Sequence, residues 1–326
     1  MSRRASWWLL CLMAPVSLAI GLAAGPSGWG IPDLAVPAGR AVLSLRAMRT
    51  GAGFFIGAGL SCAGVMMQAL LRNPLADPYV LGVSSGGALG AALVIVVFGA
   101  GTAAGAALPL GAFLAAAATL LLVMRLAGRT DGAGPSMYGL LLSGVIVAAL
   151  LSSLLLLLVS IATQEGLRTI TWWMLGNLQV HRPGLLAAGV LAIAAAVVGA
   201  GTLARDLDAM TLGRDMAHYL GVHTRRTVML GLGLATLLAS IAVALAGLIG
   251  FVGLVVPHAA RALVGARHRR LIPAAAIGGG AFLVVSDALA RTLFAPVEIP
   301  VGVVTALVGG PFFLYLLRCR RKGWIE

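Results

Sequence analysis

The sequence predicts an all-α, polytopic membrane protein with about ten transmembrane helices. Three observations predict it. Hydrophobic residues make up 60% of the 326-residue chain and charged residues only 10%. Mean hydropathy is +1.02. The apolar residues fall into long stretches, and nearly all the charge lies between them. A chain folded in water needs a charged skin, and this one has none. Spans of ~20 residues joined by short loops account for its length.

The stretches run, in order, over 7–24, 51–71, 80–99, 103–124, 138–161, 185–203, 226–246, 248–264, 271–293 and 301–317. The first follows Arg3 and Arg4 and has the outline of a signal peptide. It lacks a small-residue cleavage pattern and reads as a retained anchor. The second opens on Gly51-Ala52-Gly53 and Gly57-Ala58-Gly59, small residues that let helices in lipid approach closely. The eighth is short and interrupted by Pro257. The ninth carries Gly278-Gly279-Gly280 and Asp287, the one carboxylate well inside a span. Each stretch must be a helix, because only a helix satisfies its own backbone groups in hydrocarbon. A closed barrel needs period-two alternation, which is absent. The whole chain, 1–326, reads as one transmembrane domain.

Charge sets the orientation. Of 23 Lys and Arg residues, Arg40, Arg46, Arg49, Arg168, Arg182 and Arg291 fall on one side of the alternating spans, which leaves 17 on the other. The positive-inside rule then puts both termini in the cytoplasm. A net charge of +13 on a soluble domain would point to nucleic acid; clustered at span ends it points to a bilayer instead. Cys11, Cys62 and Cys319 have no paired spacing and read as small apolar residues.

Three segments carry candidate chemistry. The first runs from Gln68 through Asn73-Pro74-Leu75-Ala76-Asp77-Pro78 to Leu81-Gly82-Val83-Ser84-Ser85, where two prolines break the helix before small and hydroxylated residues begin the next. Non-helical chain at a membrane is tolerated where it lines a pathway. The second is Gly247 to His258, whose lone histidine has no Cys, His, Asp or Glu partner at ligand spacing; no metal site is expected. The third is the loop of about 205–226, longer than a turn requires. Met210, Leu212, Met216, Ala217 and Leu220 form one apolar face there across two short helices split near Gly213, which reads as a docking surface. No Gly-x-x-x-x-Gly-Lys phosphate loop occurs. Ser143, Ser152, Ser153 and Ser160 lack a nearby histidine, which argues against an intramembrane hydrolase, and no catalytic residue is assigned. A secondary transporter driven by an ion gradient is the other alternative, but such proteins place ionisable groups deep in their spans.

Taken in order, Asn73-Pro74-Leu75-Ala76, Leu81-Gly82-Val83-Ser84, Trp173 with Gly176, Leu212-Gly213, Leu220-Gly221, Phe251 to His258, Asp287 and Pro300-Val301-Gly302-Val303 carry a resemblance. The chain resembles the FecCD family of permease subunits, from ATP-driven importers of iron–siderophores, haem and cobalamin. Its layout is similar to the family's cobalamin importers. The resemblance implies a type II ABC importer permease fold and a homodimer. It implies two ATPase subunits on the cytoplasmic face, holding the ATP and Mg²⁺ that this chain does not bind, and a periplasmic substrate-binding protein. The multi-pass subunit would sit in the cell inner membrane and do no covalent chemistry. The resemblance places Asp208, Met210, Leu212, Gly213, Arg214, Ala217, Leu220 and Gly221 in the helices that couple to the ATPase. Arg214 stands where the family often has an acidic residue. Asn73, Leu75, Ser84, Ser85, Met137 and Tyr138 fall at gate and pathway positions. Arg46, Arg49 and Arg291 match outer-face arginines that meet a binding protein, with Met48 in place of the family's usual proline. The i, i+4 spacing of Asp287 and Arg291 offers a competing use, an ion pair within one helix.

Overall fold

The computed structural model describes residues 3–26, 28–99, 105, 107–128, 136–179 and 182–320. Residues 103, 104 and 106 of the expected fourth span lie outside the described residues. So do Arg129, Arg321 and Lys322, all counted above for orientation. Thirteen α-helices and one 3-10 turn form among the described residues. Seven helices are long and apolar enough to cross a bilayer: α1 (Arg3–Ala23), α2 (Pro37–Leu70), α4 (Ala107–Leu126), α5 (Met137–Ile161), α7 (Pro183–Thr202), α10 (Thr224–Ala246) and α12 (His268–Thr292). Three shorter apolar helices, α3 (Val83–Phe98), α11 (Val252–Val264) and α13 (Val301–Arg320), bring the apolar set to the expected ten. Between them lie α6 (Gln164–Met174) at one end of the bundle, and α8 (Ala204–Thr211) with α9 (Arg214–Tyr219) at the other.

The centre is α2. Helices α1, α7, α10, α11 and α12 all pack on it, and almost its whole apolar length is buried. Small residues make that possible. At the crossing of α2 and α12 a side chain on Gly57 would collide with the Gly279 carbonyl, and one on Gly279 with the Gly57 carbonyl. Gly64 meets the Gly253 carbonyl of α11 in the same way. Such contact lets backbones pack where lipid supplies no hydrophobic drive between helices.

The outer helices show the reverse pattern. Val145, Ile146, Leu150 and Leu156 of α5, Leu114 and Leu121 of α4, and Leu191 and Val198 of α7 are exposed. A helix apolar on its exposed side is suited to hydrocarbon or to a second copy, not to water.

Two expectations are corrected. The second span begins earlier than 51: Pro37 starts α2, so Arg46 and Arg49 lie within the helix instead of before it. Proline fits there because a first-turn N–H has no helical partner to lose. The eighth span is not interrupted at Pro257, which lies inside α11. The break falls at Gly247–Phe251, where Gly247 and Phe251 both take positive φ.

Glycine at the α2–α12 crossing is a packing requirement. Gly279→Val is expected to cost about 1–3 kcal/mol by overpacking. Gly51→Ala, where nothing lies within 4 Å of an added methyl, should be neutral or stabilising. Unfolding midpoints of the purified variants in detergent check both.

Candidate functional site: a gate, a coupling end and an arginine cluster

The turn after α2 is built from side-chain caps. Asn73 Oδ1 accepts from the Leu75 amide at 2.9 Å, and Asp77 Oδ1 from the Tyr79 amide at 2.8 Å. Arg72 and Gly82 take positive φ and turn the chain through the 3-10 segment Pro78–Leu81 into α3. Asn73 and Leu75 are therefore fixed by local hydrogen bonds, with Leu75 exposed at the tip. Ser84 and Ser85 open α3, and Ser85 Oγ lies 3.2 Å from Ser152 Oγ of α5. Met137 and Tyr138 start α5 behind the Ser136 cap, with Tyr138 exposed. The turn and Ser84–Ser85 are brought together, whereas Met137 and Tyr138 share no hydrogen bond with them.

Beneath this turn lies a contact that the sequence reading did not find. Pro257 has no N–H for the carbonyl four residues back, at Gly253. Gln68 Nε2 donates to that carbonyl at 3.3 Å, and Arg261 Nη2 donates to Gln68 Oε1 at 3.1 Å. The signal was present, since a proline within an apolar helix predicts an orphan carbonyl at i−4.

At the end of the bundle that carries α8 and α9, two carboxylates of α8 fix it to its neighbours. Thr227 Oγ1 of α10 donates to Asp206 Oδ2 at 3.0 Å. The backbone N of His268, first residue of α12, donates to Asp208 Oδ1 at 2.9 Å, and the His268 Nδ1 lies 2.6 Å from the same oxygen. The carboxylate thus caps α12 from a neighbouring helix, where an anion complements the helix dipole. Gly213, at φ 114°, separates α8 from α9. The helix–Gly213–helix division is as expected, but the single apolar face is corrected. Met210 and Ala217 are fully buried against the bundle, while Leu212, Met216, Tyr219 and Leu220 are each more than half exposed. Asp206 and Asp208 fix α8 against α10 and α12, which turns Met210 inward, and on α9 Ala217 faces the bundle while Met216 and Leu220 face away, so the five residues divide between core and surface. Arg214 opens α9, and its partial burial lowers its pKa. Gly221, at φ 83°, ends the segment.

The expected docking arginines are placed differently from the sequence reading. Arg46 is 7% exposed and Arg291 2% exposed. Arg46 Nη1 donates to the carbonyls of Leu22, Ala23 and Gly30 at 2.8–3.1 Å. Arg291 donates to Gly21 at 3.1 Å and Ala24 at 2.9 Å. Those of Gly21, Leu22 and Ala24 are carbonyls at the end of α1 that lack a helical donor, and each would cost several kcal/mol if unsatisfied in hydrocarbon. Asp287 joins the two helices: its carboxylate binds Arg49 at 2.9 Å and Arg291 at 3.0 Å, and Arg49 also binds Glu298 at 2.8 Å. The i, i+4 pair is present and extends into a four-residue cluster. The guanidinium groups of Arg46, Arg49 and Arg291 are engaged within the chain.

Among the described residues no group of three metal-ligating side chains occurs. Ser143, Ser153 and Ser160 donate to main-chain carbonyls, so none is paired with a base.

The FecCD transport family model matches residues 10–319. The chain belongs to the FecCD transport family. It is 40% identical over 290 residues to the hemin transport system permease protein HmuU of Yersinia pestis, covering 86% of this chain and 84% of that one. It is 41% identical over 305 residues to the cobalamin import system permease protein BtuC of Halobacterium salinarum, covering 91% and 78%. The iron(3+)-hydroxamate import system permease protein FhuB of Bacillus subtilis is 36% identical over 288 residues, covering 86% and 71%. A solved metal-chelate type ABC transporter in an inward-facing conformation superposes with a TM-score of 0.85 at 31% identity, covering 95% of this chain and 98% of that one. The FecCD chain is thus an all-helical permease subunit of the ABC-importer type, and a membrane protein. The ion-gradient alternative gains nothing: Asp287, the carboxylate set within a span, is held between two arginines.

Two measurements test the site. Asp287→Asn leaves Arg49 and Arg291 buried without their shared anion and is expected to cost about 3–5 kcal/mol. Glu298→Gln, at a 30% exposed side chain, should cost about 1 kcal/mol or less. Unfolding in detergent ranks the two. The second concerns Asp77, whose carboxyl is pushed up by burial from 3.8 to about 6, with the Tyr79 amide opposing. Across that range the folded chain holds a proton that the unfolded chain has released. The stability from this group is full at the acid end and is lost as pH rises through the window. Melting temperature should fall more between pH 4 and pH 7 for the wild type than for Asp77→Asn.

Proposed function

We propose that this chain is the membrane half of an ATP-driven importer that carries an iron chelate (a siderophore complex or haem) or cobalamin from periplasm to cytoplasm. Two copies enclose the path, with α5 at the contact between them. Two ATPase subunits supply the energy, and ATP and Mg²⁺ reside on them, with no cofactor on this chain. A periplasmic substrate-binding protein delivers cargo. The subunit lies in the inner membrane with both termini cytoplasmic.

One observation carries this reading: the exposed set Leu212, Met216, Tyr219 and Leu220 on α9 and at its junction with the anchored α8. Four large apolar side chains at a membrane protein's water-facing end are costly unless covered. A groove on the ATPase is the cover the family relationship supplies. Anchoring of α8 through Asp206 and Asp208 means that a push on α9 reaches α10 and α12. Cargo class follows from the relatives, whose names specify hemin, cobalamin and ferric hydroxamate. All are large chelates, for which a path with few polar hooks is suited.

The binding protein meets the opposite end of the bundle. Because Arg46, Arg49 and Arg291 are engaged internally, they shape that end instead of presenting free charge, and reversing them would test folding before it tested docking.

The test is assembly with the cognate ATPase. Leu212→Asp with Leu220→Asp is expected to reduce copurification at least tenfold and to abolish ATP-dependent uptake of hemin, ferric hydroxamate and cobalamin into proteoliposomes. The unfolding midpoint should stay unchanged. Normal assembly, or uptake that persists without ATP and collapses with the proton gradient, would overturn the reading.

A further inference from the structure

A cavity of about 740 Å³ lies at the α6 end of the bundle, apart from the gate turn and the coupling helices. Its floor is apolar and buried: Ala52 and Ile56 of α2, Leu178, and Ala244 with Ala246 at the end of α10. Its rim is polar and exposed, with Arg168 and Glu165 on α6, and Gln179 and Arg182 before α7. Trp172 stands on the rim and is 46% exposed. An apolar floor under a charged rim is the shape of a site for an amphiphile.

Three observations define the amphiphile. First, the side walls come from Leu108 and Pro109 of α4 and from Leu185 and Leu186 of α7. Both helices pack on α10 but share no packed face with each other, so the cavity lies in the slot between them. Both helices also expose apolar residues elsewhere along their length, Leu114 and Leu121 on α4 and Leu191 and Val198 on α7, as helices bordering hydrocarbon do. Second, Arg168 and Arg182 have no ion pair or side-chain hydrogen bond among the described residues. Arg46, Arg49 and Arg291 each find partners within the chain; these two are left over. Against the single Glu165 they give the rim a net positive charge. Third, a tryptophan at the rim is where indole settles at a membrane–water boundary. Guanidinium forks bind phosphate oxygens in pairs.

We propose that this cavity binds an anionic phospholipid, with its phosphate between Arg168 and Arg182 and an acyl chain entering between α4 and α7. An acidic protein surface could also meet the two arginines, but it would leave the apolar floor unfilled. The inference goes beyond the transport reading and requires only that the chain spans a membrane.

The test uses the full chain, without ATPase, in phosphatidylcholine nanodiscs containing a minor fraction of brominated phosphatidylglycerol or brominated phosphatidylcholine. Bromine quenches tryptophan on contact, and the Trp172→Phe variant isolates the signal of Trp172. Expected is stronger Trp172 quenching by the anionic lipid, by roughly fivefold in apparent affinity for each arginine. That preference should disappear in Arg168→Gln with Arg182→Gln at an unchanged unfolding midpoint. Free glycerol phosphate should not relieve the quenching. Equal quenching by both lipids, or none dependent on Trp172, overturns the proposal. Relief by glycerol phosphate alone would mean a headgroup site without a chain and overturns it too. So would a double variant that keeps its lipid preference but loses salt-sensitive binding of a substrate-binding protein. None of these outcomes bears on ATP-driven uptake, so failure here leaves the transport reading standing.

Discussion

Helix α2 has almost no lipid-facing side, and the rest of the bundle is arranged around that constraint. A helix surrounded on all sides must be lined with small residues, or its neighbours cannot reach it. Gly57 and Gly64 fix where α12 and α11 cross it. With α2 as an axis, the remaining helices divide by hydrophobic logic. Faces turned toward it bury small residues, and faces turned outward, as on α4, α5 and α7, expose large ones.

Burial of α2 also decides what happens to charge. Arg46 and Arg49 lie on this helix and cannot point freely into water once α1 and α12 have packed against it. They are retained because the packing creates acceptors: the open carbonyls at the end of α1, and Asp287 on α12. Burying ions this way offers little net stability compared with apolar residues, but it penalises any arrangement in which the partners are separated. The cluster thus specifies how α1, α2 and α12 meet at one end of the bundle. The Asp208–His268 contact fixes the other end of α12 to α8. One continuous helix, α12, therefore links α8 to the arginine cluster.

Where the chain departs from regular helix, the departures are satisfied locally. Pro257 removes a donor and Gln68 replaces it. The turn between α2 and α3 carries two side-chain caps within five residues. Such segments are stiff for non-helical backbone. The contrast is with α9, where Met216 and Tyr219 lie open.

Much was legible from composition and order alone. Ten apolar stretches reappear as seven long and three short apolar helices, because hydrocarbon leaves the backbone no other choice. The Gly213 division of the coupling segment was legible too, since glycine at positive φ ends a helix wherever it is placed. The uses of the side chains were not. Arg46 and Arg49 read as free charges at a span end, and only the packing of α1 and α12 against α2 supplied the carbonyls and the carboxylate that engage them, whereas the Asp287–Arg291 pair was legible from its spacing. Met210 and Leu212 are two residues apart and both apolar, yet one is core and the other surface, because the anchoring of α8 sets its rotation. The solvent fixes how many helices a membrane chain must have, a property each segment carries by itself. Which groups meet is a property of pairs distant in sequence, and it exists only after the helices have packed.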